Sequence, residues 1–416
     1  MASAEEMATV ATRLAAICDM IEQHRVTGTA NSARRAATIS AMIDDVAATA
    51  AEGRPRVCRR KRRMASASGY KQEGRRLVVG GGQGHGLVVR ARHRATGQAV
   101  AVKSLHRRSG GSYVGDVLRE ACFTAAGAGH PSLVAFRTVA RRPGTADYSI
   151  VTDDDHAGPS LKADVPFPEA DMRRVMRQLL AGAEAMHRHG VVHRDIKPDN
   201  ILVPAGTGGV KICNFGAAKS VSEKEPPRQF AGTAAYMAPE ALVRNADHGT
   251  PVDMWSLGCV MAELLTGELL FARAEDEAHQ LFKIFDVLGV PCKREWQALK
   301  PQVHDDKVQA WRARQVRQMR QRHRRNRLRE LVPPKILSAH GFQVLRGLLT
   351  CDPEKRLTAA AALQCPWFTD NGVGDAPTLT RICVTNVSAL ASKPWSLAIP
   401  FVARLLGFIR PKVLLH

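Results

Sequence analysis

The run Val191-Val192-His193-Arg194-Asp195-Ile196-Lys197-Pro198-Asp199-Asn200 constrains this chain more than any other stretch. Behind a β-branched pair it sets a carboxylate (Asp195), an ammonium (Lys197) and a carboxamide (Asn200) within six residues. Moving a phosphoryl group from a nucleotide calls for those group types. A carboxylate orients the attacking hydroxyl and takes its proton, a cation offsets charge on the phosphoryl oxygens, and an amide oxygen holds a divalent cation. The rival reading is a chance polar loop, and what stands elsewhere in the chain decides between the two.

Upstream, the texture from Leu77 onward is short β-branched runs broken by glycine. Leu77-Val78-Val79 and Leu87-Val88-Val89 flank the turn Gly80-Gly81-Gly82-Gln83-Gly84-His85-Gly86 and predict a hairpin. Glycines there let backbone amides approach phosphate oxygens with no Cβ in the way. The strand Ala99-Val100-Ala101-Val102-Lys103 follows. Its terminal ammonium needs a counter-charge if buried, and Glu120 in Leu118-Arg119-Glu120-Ala121 is the expected partner, with Asp116 as second choice. Beyond, Val175, Leu179, Ala183 and Met186 keep helical spacing between Pro168 and Gly190. Gly209-Val210-Lys211-Ile212-Cys213 then reads as a short strand leading into Asn214-Phe215-Gly216.

Taken together these motifs resemble eukaryotic protein kinases. His193 to Asn200 resembles the catalytic loop H-R-D-L-x-x-x-N, Gly81 to Val88 the phosphate-covering loop with Gln83 in place of its second glycine, and Lys103 the V-A-x-K lysine. Asn214-Phe215-Gly216 stands in place of D-F-G, and Ala238-Pro239-Glu240 matches A-P-E. Lys197, two places after Asp195, resembles the serine/threonine branch. Gln280 to Pro291, Gly341 to Leu345 and Arg356 to Ala359 resemble plant cyclin-dependent-kinase-like proteins of the F class, as in grasses. The resemblance spans about residues 75–368.

It implies an α+β, bilobal fold: a small antiparallel sheet with one helix over a larger helical lobe. It implies ATP and Mg²⁺ as cofactors, transfer to Ser or Thr hydroxyls, and a protein substrate. The catalytic residues implied are Asp195, Lys197, Asn200 and Thr233, with Thr233 hydrogen-bonded to Asp195. Nucleotide contacts fall to Gly81, Gly84, Gly86, Val88, Ala101, Lys103, Glu120 and Asp155, and metal contacts to Asn200 and Asn214. Thr152 matches the gatekeeper, Glu240 and Arg356 a buried structural pair, and Asp253 the brace of the catalytic loop.

The departures carry information too. Asn214 keeps an acceptor oxygen but no charge, whereas hard cations favour carboxylate. Two readings follow, a weakened kinase and a nucleotide-binding or scaffold pseudokinase. The stretch Gly115-Asp116-Val117-Leu118-Arg119-Glu120 keeps only Arg-Glu of a cyclin-binding helix, and Met237 replaces the Arg that favours proline after the target residue. Cyclin therefore stands as a possible but doubtful partner, and proline direction is doubtful too. No hydroxyl stands near Arg228-Gln229, so Ser220 and Ser222 are the candidate phosphoacceptors.

Composition sets the remaining bounds. The net charge of +21 over 416 residues is concentrated in residues 54–63 and 312–329, the latter holding nine Arg. The cluster Arg59-Arg60-Lys61-Arg62-Arg63 reads as a nuclear localisation or nucleic-acid patch. Few aromatics interleave with either tract, so nucleic acid is a distant alternative as main partner. Nine cysteines without a C-x-x-C pair suit a reducing compartment. No secretory signal and no membrane span are expected. Met7, Val10, Leu14, Ile17 and Ile21 line one face of a helix that docks on its own domain, meets a partner, or frays. The expected organisation is a mostly disordered N-terminal extension (1–72), an N-lobe (73–157), a C-lobe (158–369) with a basic insert (310–330), and a C-terminal extension (370–416). Oligomeric state is left open.

Overall fold

The computed structural model describes residues 12–14, 16–21, 38–46, 65–79, 86–105, 113–142, 147–154, 159–161, 166–204, 208–223, 232–243, 245, 248–299 and 326–369. Gly81, Gly84, Asp155, the basic run 54–63, most of the basic insert and the apolar segment 396–409 lie outside the described residues.

Two helical stretches come first, α1 (12–14 and 16–21) and α2 (38–46). The strands β1 (Ala65–Ser66), β2 (Tyr70–Val79), β3 (Gly86–His93) and β4 (Ala99–Leu105) follow, then helix α3 (Tyr113–Ala126) and strands β5 (Phe136–Arg141) and β6 (Tyr148–Asp153). These six strands form one sheet in the order β1-β5-β6-β4-β3-β2. Five are antiparallel, and the two-residue β1 adds parallel to β5. The expected hairpin has the register Leu77↔Val88, Val78↔Leu87 and Val79↔Gly86.

Side chains alternate across a strand, so register decides which residues face the cleft. Lys103 pairs with Val88 on one side and Ile150 on the other, while Ala101 pairs with Thr152. Val88, Ala101, Lys103, Ile150 and Thr152 all line one cleft. The intervening residues Val100 and Val102 pack the other face, with Ala91, Ala140 and Val151.

The helical lobe is built on α4 (Glu169–Arg188), whose buried stripe holds Met172, Val175, Met176, Leu179, Leu180, Ala183 and Met186. Short strands β7 (Val191–Val192), β8 (Ile201–Leu202), β9 (Lys211–Ile212) and β10 (Lys219–Ser220) follow, with β7 pairing β10 and β8 pairing β9. Next come α5 (Pro239–Leu242) and α6 (Pro251–Thr266). Apolar on nearly every side, α6 is buried along almost its whole length and ends on Gly267, whose φ of 79° suits a left-handed cap. Trp255 of α6 stacks on Phe271, with ring centroids 5.6 Å apart. Helices α7 (Glu277–Leu288), α8 (Lys293–Ala298), α9 (Leu328–Leu331), α10 (Ala339–Leu348), α11 (Ala359–Leu363) and α12 (Pro366–Thr369) complete the lobe. Among the described residues no helix is long and apolar enough to cross a membrane.

Within the expected N-terminal extension, 1–72, the described residues join the fold. Leu14, Ile17, Ile21, Ile39, Ile43 and Val46 are at most 1 % exposed and belong to the main apolar core, and β2 begins at Tyr70 rather than after 72. The stripe of α1 was legible from its spacing, which does not say what covers it, whereas the stripe of α2 was not singled out.

Candidate active site

The loop between β7 and β8 carries the catalytic run, and its shape is held from below by α6. Asp253, fully buried, accepts the backbone N–H groups of His193 and Arg194, each at 2.8 Å, and His187 Nε2 at 2.9 Å. Burial alone would raise the Asp253 carboxyl, but these donors prevail and hold it below the ordinary carboxylate range. The bonds support an uncommon backbone: Arg194 has φ of 67°, a conformation that costs a non-glycine residue about 1–3 kcal/mol. His193, also fully buried, donates through Nε2 to the Cys213 carbonyl and meets the Phe215 ring edge-on at 5.1 Å. It thereby joins the catalytic loop to the segment carrying Asn214.

On this scaffold Asp195 collects donors on both oxygens. Thr233 Oγ1 donates to Asp195 Oδ1 at 3.0 Å, and Asn200 Nδ2 donates to Oδ2 at 2.9 Å. Lys197 Nζ lies 3.1 Å from Oδ2 and donates to Thr233 Oγ1 at 2.6 Å. A carboxylate held this way cannot rotate, which is what a base aimed at a substrate hydroxyl needs.

Across the cleft, Lys103 Nζ donates to Glu120 Oε1 at 2.5 Å and to Asn214 Oδ1 at 2.7 Å. Glu120 is therefore the partner; Asp116, the second choice, lies one helical turn earlier on α3 and is exposed. The second oxygen, Glu120 Oε2, is buried and without a hydrogen-bond donor. A Cβ built at Gly216 would stand 3.3 Å from that oxygen, so only glycine passes this close at no cost.

Asn214 sits in the left-handed region, at φ 68° and ψ 70°, which Asn tolerates better than most residues. Its amide orientation is decided by its neighbours. The Lys103 ammonium can only donate, so Oδ1 must face it, which turns Nδ2 toward Asn200 Oδ1 at 2.9 Å. The one side-chain oxygen that Asn200 can offer a cation thus carries an N–H, and the Asn214 oxygen is already engaged. Among the described residues no cluster of three or more His, Cys, Asp or Glu could hold a metal ion. A divalent cation would be held at Asn200 Oδ1, where the Asn214 N–H competes for the same oxygen, and a second at Asn214 would meet an uncharged amide oxygen that already accepts from Lys103.

The cleft beside the Lys103–Glu120 pair is lined by Val88, Ala101, Lys103, Glu120, Thr124, Val134, Ile150, Thr152 and Asn214. Of the residues implied for nucleotide, the structure brings together Val88, Ala101, Lys103 and Glu120, with Gly86 opening β3 beside them. Thr124 and Val134 were not singled out in the sequence, having no motif of their own. Helical spacing from Glu120 would have found Thr124.

The match to known families decides what this cleft belongs to. The model of the protein kinase domain matches residues 76–368. The chain belongs to the protein kinase family. This kinase is 43 % identical over 298 residues to a rice protein (Oryza sativa subsp. japonica) named "Putative cyclin-dependent kinase F-2", covering 68 % of this chain and 86 % of that one. It is 36 % identical over 299 residues to "Cyclin-dependent kinase G-2" of Oryza sativa subsp. indica, covering 68 % of this chain but only 40 % of that longer protein. It is 31 % identical over 289 residues to the "Serine/threonine-protein kinase ppk23" of Schizosaccharomyces pombe, covering 68 % of this chain and 69 % of that one.

Two further features of the kinase lay beyond sequence reasoning. Arg119 clasps Glu223 with both terminal nitrogens, at 2.6 and 2.7 Å, and also donates to the Ala218 carbonyl. Arg194, pushed down to about 10 by burial and then by the Arg119 charge, donates to the Ala217 carbonyl at 2.6 Å. The carboxylate facing both guanidinium groups thus comes from Glu223, a few residues past Phe215. The other expected pair, Glu240 with Arg356, is bidentate at 2.5 and 2.9 Å and almost fully buried.

Proposed function

We propose that this kinase transfers the γ-phosphate of ATP to Ser or Thr hydroxyls of protein substrates, at a rate lowered by Asn214. The observation that carries this reading is Asp195, pinned on both carboxylate oxygens by Thr233, Asn200 and Lys197 and linked through Asn200 and Asn214 to Lys103 in the cleft. Lys103, paired with Glu120, would hold phosphate oxygens of the bound nucleotide. Asp195 would orient the attacking hydroxyl and accept its proton, and Lys197 would sit beside the moving phosphoryl group. A Mg²⁺ ion, when bound, supplies charge neutralisation between phosphate oxygens, and Asn200 would hold it. Met237 argues against a requirement for proline after the target residue, and the Arg59 to Arg63 cluster supports a nuclear location, which a fluorescent fusion with those residues changed to Ala would test.

The specific observation favouring a scaffold instead is the Asn214 N–H on Asn200 Oδ1. Radiolabelled phosphate transfer to a generic protein substrate, alongside a thermal shift with ATP, separates the two readings. Transfer that disappears in Asp195→Asn while the nucleotide shift persists supports the enzyme. A shift with no transfer in the wild-type chain supports the scaffold and overturns the proposal.

A further inference from the structure

The Lys103–Glu120 pair forms only when α3 lies close against the sheet, so whatever holds α3 in place governs the cleft. At 100° per residue the face of α3 opposite Glu120 carries Leu118 and Cys122. A helix covering a small sheet ordinarily presents such a face to solvent or to another chain. Here both residues are 0 % exposed.

What packs into the same apolar core is the N-terminal segment of this chain. Leu14, Ile17, Cys18 and Ile21 of α1 recur at helical spacing and are buried, as are Ile39, Ile43 and Val46 of α2. These residues and Val117, Leu118, Ala121 and Cys122 of α3 belong to one continuous cluster. The two helices come together at the thiols, where Cys18 lies close enough to Cys122 and to Arg119 to act on both. An ion pair between Arg13 and Asp45 at 2.8 Å ties α1 to α2. Immediately before Glu120, Arg119 holds the stretch after Phe215 through Glu223 and the Ala218 carbonyl. Helix α3 is therefore gripped by the sheet, by that stretch and by α1.

We propose that α1 and α2 are a built-in brace on α3, which keeps Lys103 and Glu120 paired without a second polypeptide. The brace occupies the α3 surface that a separate activating chain would have to reach. The phosphate-transfer consequence rests on the function proposed above; the packing does not.

The test uses the full chain with Leu14 and Ile17 both changed to Asp, and reads alkylation of individual cysteines by iodoacetamide with peptide mass spectrometry. In the wild-type chain the exposed Cys292 reacts while Cys122 and the core residue Cys259 are protected. In Leu14→Asp/Ile17→Asp the expected result is Cys122 labelled at least about tenfold faster with Cys259 still protected, and phosphate transfer falling at least about tenfold. Labelling of wild-type Cys122 as fast as Cys292 overturns the brace, and so does a double variant that leaves both Cys122 protection and transfer unchanged. If Cys259 also becomes reactive, the fold has been lost and Ile17→Ala replaces the double variant. Faster Cys122 labelling in Ile17→Ala supports the brace, and an unchanged rate overturns it. A wild-type chain with the expected labelling but no transfer refutes the enzymatic reading and leaves the brace standing.

Discussion

Asn214→Asp is the substitution in which the geometry of this cleft makes its sharpest demand. Asn214 donates to Asn200 Oδ1 at 2.9 Å and accepts from Lys103 at 2.7 Å. Aspartate keeps the second contact and abolishes the first, because a carboxylate has no hydrogen to donate. Losing a neutral hydrogen bond costs about 1 kcal/mol. Against that, a unit charge about 4 Å from a cation gains roughly 4 kcal/mol at the effective dielectric of a partly exposed site. The net of about 3 kcal/mol corresponds to roughly a hundredfold in rate if it is felt in the transition state. The assay is initial-rate phosphate transfer at saturating ATP across a Mg²⁺ titration, paired with ATP thermal shifts with and without Mg²⁺. Expected are a rise of roughly a hundredfold in kcat, half-saturation at lower Mg²⁺, and a nucleotide shift that becomes more dependent on the cation. A rate that stays flat or falls, with an unchanged Mg²⁺ requirement, would refute the claim that the Asn214 amide closes a cation position.

Three further outcomes are expected. Arg356→Ala strands the Glu240 carboxylate, 1 % exposed, and removes bonds to the Pro251 and Thr350 carbonyls; breaking a buried pair of this kind costs about 3–5 kcal/mol, read as a lowered urea midpoint. Thr233→Ala removes the hydroxyl shared by Asp195 and Lys197, and kcat should fall about tenfold with melting temperature little changed. The Tyr236 hydroxyl, pushed up from the ordinary value of 10.0 by burial and then by its bond to Glu263 at 2.6 Å, stays protonated where an unfolded tyrosine ionises. Its contribution is therefore fully present below about pH 10 and lost as pH rises above it, so Tyr236→Phe should be less stable near neutrality yet lose less stability in alkaline denaturation.

Motifs confined to a few consecutive residues were legible because their meaning is local. Asp195, Lys197 and Asn200 share a loop, so their spacing announces their joint use. Lys103 and Glu120 were harder. The rule that a buried ammonium needs a counter-charge asked for an acid but not which one, and the turn of α3 chose Glu120 over Asp116. The apolar spacing of Leu14, Ile17 and Ile21 was equally legible as a helix, yet a stripe says only that something must cover it. Thr124 and Val134 entered the cleft through packing alone, with no motif to mark them.

By itself, the sequence determined the kinase family, the catalytic loop chemistry and the neutral residue at 214, since short-range spacing and residue type suffice for each. Tertiary structure alone decided which way the Asn214 amide points, which carboxylate Arg119 clasps, and what covers the outer face of α3. Those outcomes depend on groups separated by about a hundred residues, such as Cys18 from Cys122 and Arg119 from Glu223. No periodicity within a helix or strand encodes a meeting across that span, because only the packed core brings the two ends together.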